Sequence, residues 1–149
     1  MNDFNTWEEL DISGFQTVKS ELFTSTAQRS SATCSLCDNR ISFGKVALQQ
    51  LNNCEYVKLE VNPESKCLLV IPVNSSDSNC IRWVSNGKEP QLRNLQSKSF
   101  CDWLRRTWGF DQELDYRANG RLVTSKKKVM MVFDFSSAVS WKPKTGRSQ

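Results

Sequence analysis

The chain has 149 residues, of which 38% are hydrophobic and 24% are charged. This length predicts one domain, and the hydrophobic share excludes a chain that is disordered throughout. The sequence contains no histidine, which excludes Ser-His-Asp and Cys-His catalysis as well as metal sites built on imidazole. No glycine-rich phosphate-binding loop is present either. We therefore expect a protein that is not an enzyme and needs no cofactor.

No apolar run approaches the roughly 20 residues that a membrane-spanning helix requires. The chain opens with Met1-Asn2-Asp3-Phe4, which is acidic rather than basic and lacks the apolar core of a secretion signal. These features predict a cytoplasmic location and no membrane partner.

Charge is distributed unevenly along the chain. The first forty residues hold six acidic and three basic side chains, whereas residues 76–149 hold fourteen basic and seven acidic ones. Such an asymmetry indicates an acidic or anionic partner for the second half of the chain.

The six cysteines include one closely spaced pair, Cys34 and Cys37. Two such pairs would indicate a zinc site of four thiolates, but the next cysteines, Cys54 and Cys67, are far apart in the sequence. The pattern favours reduced thiols that act as small apolar side chains at a strand edge, and we expect no metal.

In chain order, residues 15–23 have the β-prone composition of a strand, and the Ser/Thr-rich stretch 24–33 predicts a loop. Ser42 stands where a helix N-cap is expected, and the apolar residues of 43–51 recur at helical spacing. Residues 56–61 and 67–73 predict a hairpin, because apolar and polar residues alternate in the first strand and Asn62-Pro63 begins a turn. Residues 80–84 predict a further short strand.

The second half predicts a similar series. Ser99 is the expected N-cap of a helix over 99–108, with Asp102 in the position of a capping box and Gly109 as its left-handed stop. Its apolar stripe holds Phe100, Trp103, Leu104 and Trp108, with Arg105 and Arg106 on the other side. Strands over 116–123 and 129–135 follow, joined by a lysine-rich turn.

Together these elements predict an α+β fold, with a mainly antiparallel sheet, two short helices and two pseudo-repeated helix–hairpin units about 57 residues apart. We expect one domain over 1–140, with 1–12 as a flexible arm, and a basic disordered tail over 141–149. At the level of the fold, this duplication resembles the Whirly and transcriptional-coactivator type of single-strand binder.

Several short runs resemble a group of small uncharacterised bacterial proteins, many from Firmicutes and some carried on mobile elements. The similar residues in the first half are 41–43, 47–48, 56–57 and 69–72. Those in the second half are 98–100, 108–110, 116–117, Gly120 and 132–135. The resemblance covers roughly residues 40–135 and implies a fold rather than an activity, because the group has no assigned function.

Two main function hypotheses remain open. The first is a non-enzymatic binding or adaptor protein, for instance a homodimer, in which the acidic segment around Trp7, Glu8, Glu9 and Leu10 binds a basic half. The alternative is a regulatory module that binds single-stranded DNA or RNA through cations and aromatic rings. The candidate contacts of this alternative are Arg82, Arg105, Arg106, Arg117, Arg121, Lys126, Lys127 and Lys128.

Two further groups of residues have the chemistry of a binding site. Trp83, Trp103 and Trp108 lie in apolar patterns, which favours core positions over base stacking. Glu113, Asp115 and Asp134 offer oxygen ligands for a divalent cation, but their neighbours Arg117 and Arg121 favour ordinary surface charges.

Overall fold

The computed structural model describes residues 8–19 and 31–143. These belong to two compact units, 1–30 and 31–149, and the second unit contains the sheet. In chain order its elements are β1 (Ala32–Cys37), β2 (Arg40–Phe43), α1 (Lys45–Gln50), β3 (Tyr56–Asn62), β4 (Cys67–Val73), β5 (Ile81–Arg82), β6 (Leu95–Gln96), α2 (Lys98–Trp108), β7 (Asp115–Ser125), β8 (Lys128–Asp134), a 3-10 turn (Phe135–Ser137) and β9 (Val139–Trp141).

The nine strands of the described residues belong to one antiparallel sheet in the order β5-β3-β4-β8-β7-β1-β2-β6, with β9 pairing the start of β7. The described residues are 41% strand and 16% helix, and the sheet curls into a half-barrel that carries two helices. The prediction of an α+β fold is therefore wrong, because the architecture is mainly β.

The predicted pair of helix–hairpin repeats is also wrong. The hairpins β3–β4 and β7–β8 are joined edge to edge through β4 and β8, so they are the middle of one sheet rather than two units. The hairpin β1–β2 and strands β5, β6 and β9 extend that sheet on either side. The predicted resemblance to the Whirly and coactivator folds was based on this duplication, so it is wrong as well.

The core fills the inner face of the curled sheet. Because side chains alternate along a strand, each strand gives every second residue to this face. The inner residues of β1 are Ala32, Cys34 and Leu36, at 0 or 1% exposure. The CxxC motif thus lies in a strand as predicted, but in an interior one, since β1 pairs with both β2 and β7.

Turn chemistry fixes the two long hairpins. Asn62 Oδ1 accepts hydrogen bonds from the backbone amides of Glu64 and Ser65 at 2.9 and 3.1 Å, which confirms the turn predicted between β3 and β4. The β7–β8 turn holds only Lys126 and Lys127, both with positive φ. Two residues in this left-handed region match the right-handed twist of the strands that they join.

Both helices begin at other residues than predicted. Ser42 lies within β2, and α1 begins after Gly44, which provides no side-chain cap. In α2 the N-cap is Ser97 rather than Ser99, and its side chain accepts a hydrogen bond from the Phe100 amide. Gly109 ends α2 with a φ of 70°, which confirms the predicted left-handed stop.

The strand predicted over 15–23 is absent from its described part, 15–19, which follows a turn closed by the Phe15 amide and the Ile12 carbonyl. Residues 20–23 and most of the predicted loop, 24–30, lie outside the described residues. So do residues 1–7 of the predicted arm and 144–149 of the predicted tail, although Trp141 belongs to β9. No helix in the described ranges is long and apolar enough to cross a membrane.

Candidate nucleic-acid interface

Five of the eight predicted basic contacts lie on the β7–β8 hairpin, and we call them the basic ridge: Arg117, Arg121, Lys126, Lys127 and Lys128. Arg117 and Arg121 are four residues apart on β7, so they share its outer face. Lys128 is the cross-strand partner of Ser125 on that same face, and the other two lysines form the turn. The ridge therefore follows one strand for about 27 Å to the tip of the hairpin.

Two contacts hold Arg117, at the end of the ridge farthest from the hairpin turn. Arg117 Nε donates to Ser35 Oγ at 3.3 Å, and its guanidinium carbon lies 5.1 Å from the centre of the Trp141 ring. A guanidinium stacked on an indole is a cation–π contact and fixes the plane of the charge. Arg117 is exposed, so this fixed cation lies at the surface.

The Asp134 carboxylate interacts with Arg121, in the middle of the ridge. Hydrogen bonds from Ser136 lower the pKa of the Asp134 carboxyl, and the positive charge of Arg121 lowers it further. Both Arg121 and the three lysines are exposed. The hairpin has five basic residues against Asp115 and Asp134, so its outer surface is positively charged.

Arg105 is not available to a ligand. It is 2% exposed, Nη1 donates to the Asp38 carbonyl at 2.6 Å and Nη2 to the Leu114 carbonyl at 3.2 Å. Nη2 also lies 3.9 Å from Asp115 Oδ1. The prediction that Arg105 belongs to a basic binding surface is wrong, because it fastens α2 to the β1–β2 turn and to β7.

Arg106 and Arg82 are separate from the ridge. Arg106 is exposed on α2, on another element. Arg82 lies on β5, at one end of the sheet, where Nη2 pairs with Glu55 Oε2 at 3.0 Å and Nε donates to the Val84 carbonyl at 3.3 Å. The eight predicted residues therefore form one cluster of five and three isolated positions.

Of the three tryptophans considered, two are buried and one is exposed. Trp83 and Trp108 are buried at 0 and 2% exposure, and each donates its indole N–H to a backbone carbonyl, which confirms their predicted core positions. Trp103 is 40% exposed and stacks on Phe100, so its predicted core position is wrong. An aromatic ring beside the ridge is that of Trp141, the first residue of the predicted tail.

The candidate metal ligands do not assemble. In the described ranges no group of three or more cysteine, aspartate or glutamate side chains is placed to hold a metal ion. Asp115 is buried beside Arg105, which corrects the expectation that it is a surface charge. Burial raises the pKa of the Cys34 thiol well above its ordinary value, and raises the pKa of the Cys37 thiol with a further contribution from the Asp115 carboxylate. These thiols stay protonated at neutral pH.

No family model, no curated protein and no solved structure matches this chain. The resemblance to small bacterial proteins therefore stays a prediction.

Proposed function

We propose that this protein is a non-enzymatic binding protein whose ligand is single-stranded nucleic acid, held along the basic ridge. The observation that carries the proposal is the shared placement of Arg117, Arg121 and the lysines of the turn on one hairpin. Cations spaced along a strand can follow successive phosphates, and an adjacent ring can stack on a base. Arg117 against Trp141 supplies that combination at one end of the ridge.

Single-stranded rather than duplex nucleic acid is the better fit. The indole of Trp141 at one end of the ridge can stack on an unpaired base, whereas the bases of a duplex are already stacked on one another. The exposed helix residue Arg106 stands apart from the ridge, and the second arginine of α2 is buried. The other exposed cation of α2, Lys98, pairs with Asp102 at 2.7 Å, so this helix does not present two neighbouring exposed arginines to a groove.

The test is fluorescence polarisation with labelled single-stranded and duplex oligonucleotides at two salt concentrations. Changing Lys126, Lys127 and Lys128 together to glutamate is expected to weaken single-strand binding at least about tenfold. The same change should reduce the salt slope by about 2, since each lost phosphate contact contributes roughly 0.7 for single strands.

A matched control keeps the net charge change equal. Lys19, Lys45 and Lys88 are exposed and lie outside the ridge, so their joint change to glutamate should leave most of the affinity. If both triple variants lose the same amount of affinity, binding depends on net charge alone, and the ridge is not the binding site. The absence of salt-sensitive binding in the unchanged protein would overturn the function itself.

A second candidate, binding of a protein or of another copy of the chain, is favoured by the first unit. Four large apolar side chains there are 61 to 70% exposed: Leu10, Ile12, Phe15 and Val18. Light scattering tests this candidate. A dimer that Ile12→Ser together with Phe15→Ser converts to a monomer would support it, and a monomer with no bound partner would contradict it.

A further inference from the structure

The opening of the half-barrel contains a pocket of about 640 Å³. Its lining comes from both ends of the sheet, with β3 and β5 on one side and β2 and β6 on the other. The first turn of α2 contributes the remaining wall through Ser97 and Phe100. A cavity of this size and at the mouth of a curled sheet is typical of small-molecule sites.

The walls of the pocket are apolar side chains that the fold leaves half-buried. Ile81 is the cross-strand partner of the fully buried Val57, and Leu95 is the partner of the fully buried Ile41. Both therefore point to the inner face of the sheet, yet each is only partly buried, as is Leu59. An apolar ligand group in the pocket would remove this surface from water, which is favourable in proportion to the area covered.

Positive charge lies at the rim. Arg82 is already held by Glu55, whereas the side chain of Arg93 has no hydrogen bond or ion pair within the described part of the chain. The Arg93 backbone is nevertheless fixed, because its amide donates to the Trp83 carbonyl at 2.9 Å. None of the described residues that line the pocket is acidic.

We propose that this pocket binds a small amphipathic carboxylate, with its apolar tail between Leu59, Ile81 and Leu95 and its carboxylate on Arg93. A guanidinium accepts a carboxylate through two parallel hydrogen bonds. A neutral apolar ligand would leave this cation unmatched, and a small inorganic anion would leave the apolar walls exposed. The site is separate from the basic ridge and does not depend on the proposed nucleic-acid function.

Isothermal titration calorimetry with decanoate tests the proposal. Decanol has the same tail without the charge, and butyrate has the charge with little tail. Decanoate is expected to bind at least about tenfold more tightly than either of them, because only decanoate matches both the walls and the cation. Arg93→Gln should weaken decanoate binding by about tenfold and leave decanol binding unchanged.

Two further variants make the result specific to the pocket. Arg121→Gln removes a cation from the outer face of β7, outside the lining, and should leave decanoate binding intact. Leu95→Glu adds a carboxylate to the wall and should abolish decanoate binding while circular dichroism shows a folded protein. The proposal is overturned by failure of decanoate to bind at millimolar concentration. It is equally overturned by an Arg93→Gln variant that binds decanoate as tightly as the unchanged protein does.

Discussion

Arg105 and Asp115 form a buried ion pair, with Nη2 and Oδ1 3.9 Å apart and side chains that are 2 and 10% exposed. The same guanidinium donates to two backbone carbonyls, at Asp38 and Leu114. One side chain thereby joins α2, the β1–β2 turn and the start of β7. Removing one member of such a buried pair is costly, because the remaining charge loses its partner in a medium that solvates it poorly.

We expect Arg105→Ala to lower the free energy of unfolding by about 3–5 kcal/mol. Arg106→Ala is the matched control, because Arg106 is the next residue of the same helix and is exposed. Its effect should stay within about 0.5 kcal/mol. Urea denaturation of both variants measures the difference, and equal effects would show that the buried pair adds no stability.

The contrast between Arg105 and Arg106 could not be predicted from the sequence pattern of the helix. In the sequence both residues have the pattern of surface cations on a helix with an apolar stripe. Arg105 is a core residue because its guanidinium meets the carbonyls of Asp38 and Leu114 and the Asp115 carboxylate. The hairpins β3–β4 and β7–β8 were predicted because their determinants are local: alternation in Val57, Leu59 and Val61, and the turn residue Asn62. Local patterns of this kind specify strands and turns well.

The order of the strands was not predictable, because it depends on pairings between distant residues. Strand β1 pairs with β7 through Cys34 and Ala118, which are separated by most of the chain, and no turn links them. Strand β5 (Ile81–Arg82) lies within the short strand predicted over 80–84, whereas β6 has only two residues, too few to show a period. The predicted repeat followed from two similar local series, whereas the curled sheet follows from these long-range contacts.

Gly120 faces the ring of Phe133 across the β7–β8 ladder. A Cβ at this position would lie 2.5 Å from Phe133 Cε1 and 2.8 Å from Cδ1, and the ring is fully buried. We therefore expect Gly120→Ala to lower the free energy of unfolding by about 1–3 kcal/mol, as overpacking does elsewhere.

Gly14→Ala is the control for this change, since an added Cβ there meets nothing within 4 Å. Combining Gly120→Ala with Phe133→Leu should cost less than the sum of the two single changes, because the smaller side chain makes room for the methyl group. Strict additivity in denaturation curves would contradict the steric explanation.

Trp108 and Trp103 lie on the same helix in different surroundings. Trp108 stacks on Phe135 with ring centres 5.1 Å apart and donates its indole N–H to the Asn62 carbonyl at 3.2 Å. We expect Trp108→Ala to cost about 3–5 kcal/mol, and Trp103→Ala, at a position 40% exposed, about 1 kcal/mol or less. Thermal denaturation followed by circular dichroism compares the two. A larger loss in the Trp103 variant would contradict the assignment of the core face of α2.

The stability of the protein at alkaline pH depends on the Cys101 thiol. Burial raises the pKa of the Cys101 thiol from 9.0 to about 11, so the folded state holds this proton more tightly than the unfolded state does. The resulting stability is fully present below pH 9 and is lost as the pH rises toward 11, where the unfolded chain has already released the proton. The free energy of unfolding should therefore fall over this interval by about 2 kcal/mol on account of Cys101. Cys101→Ala should show a shallower fall than the unchanged protein, although it is less stable at pH 8 because a buried group is lost. The two proteins share every other ionisable side chain, so the difference between the two curves isolates the thiol, and parallel curves would contradict its role.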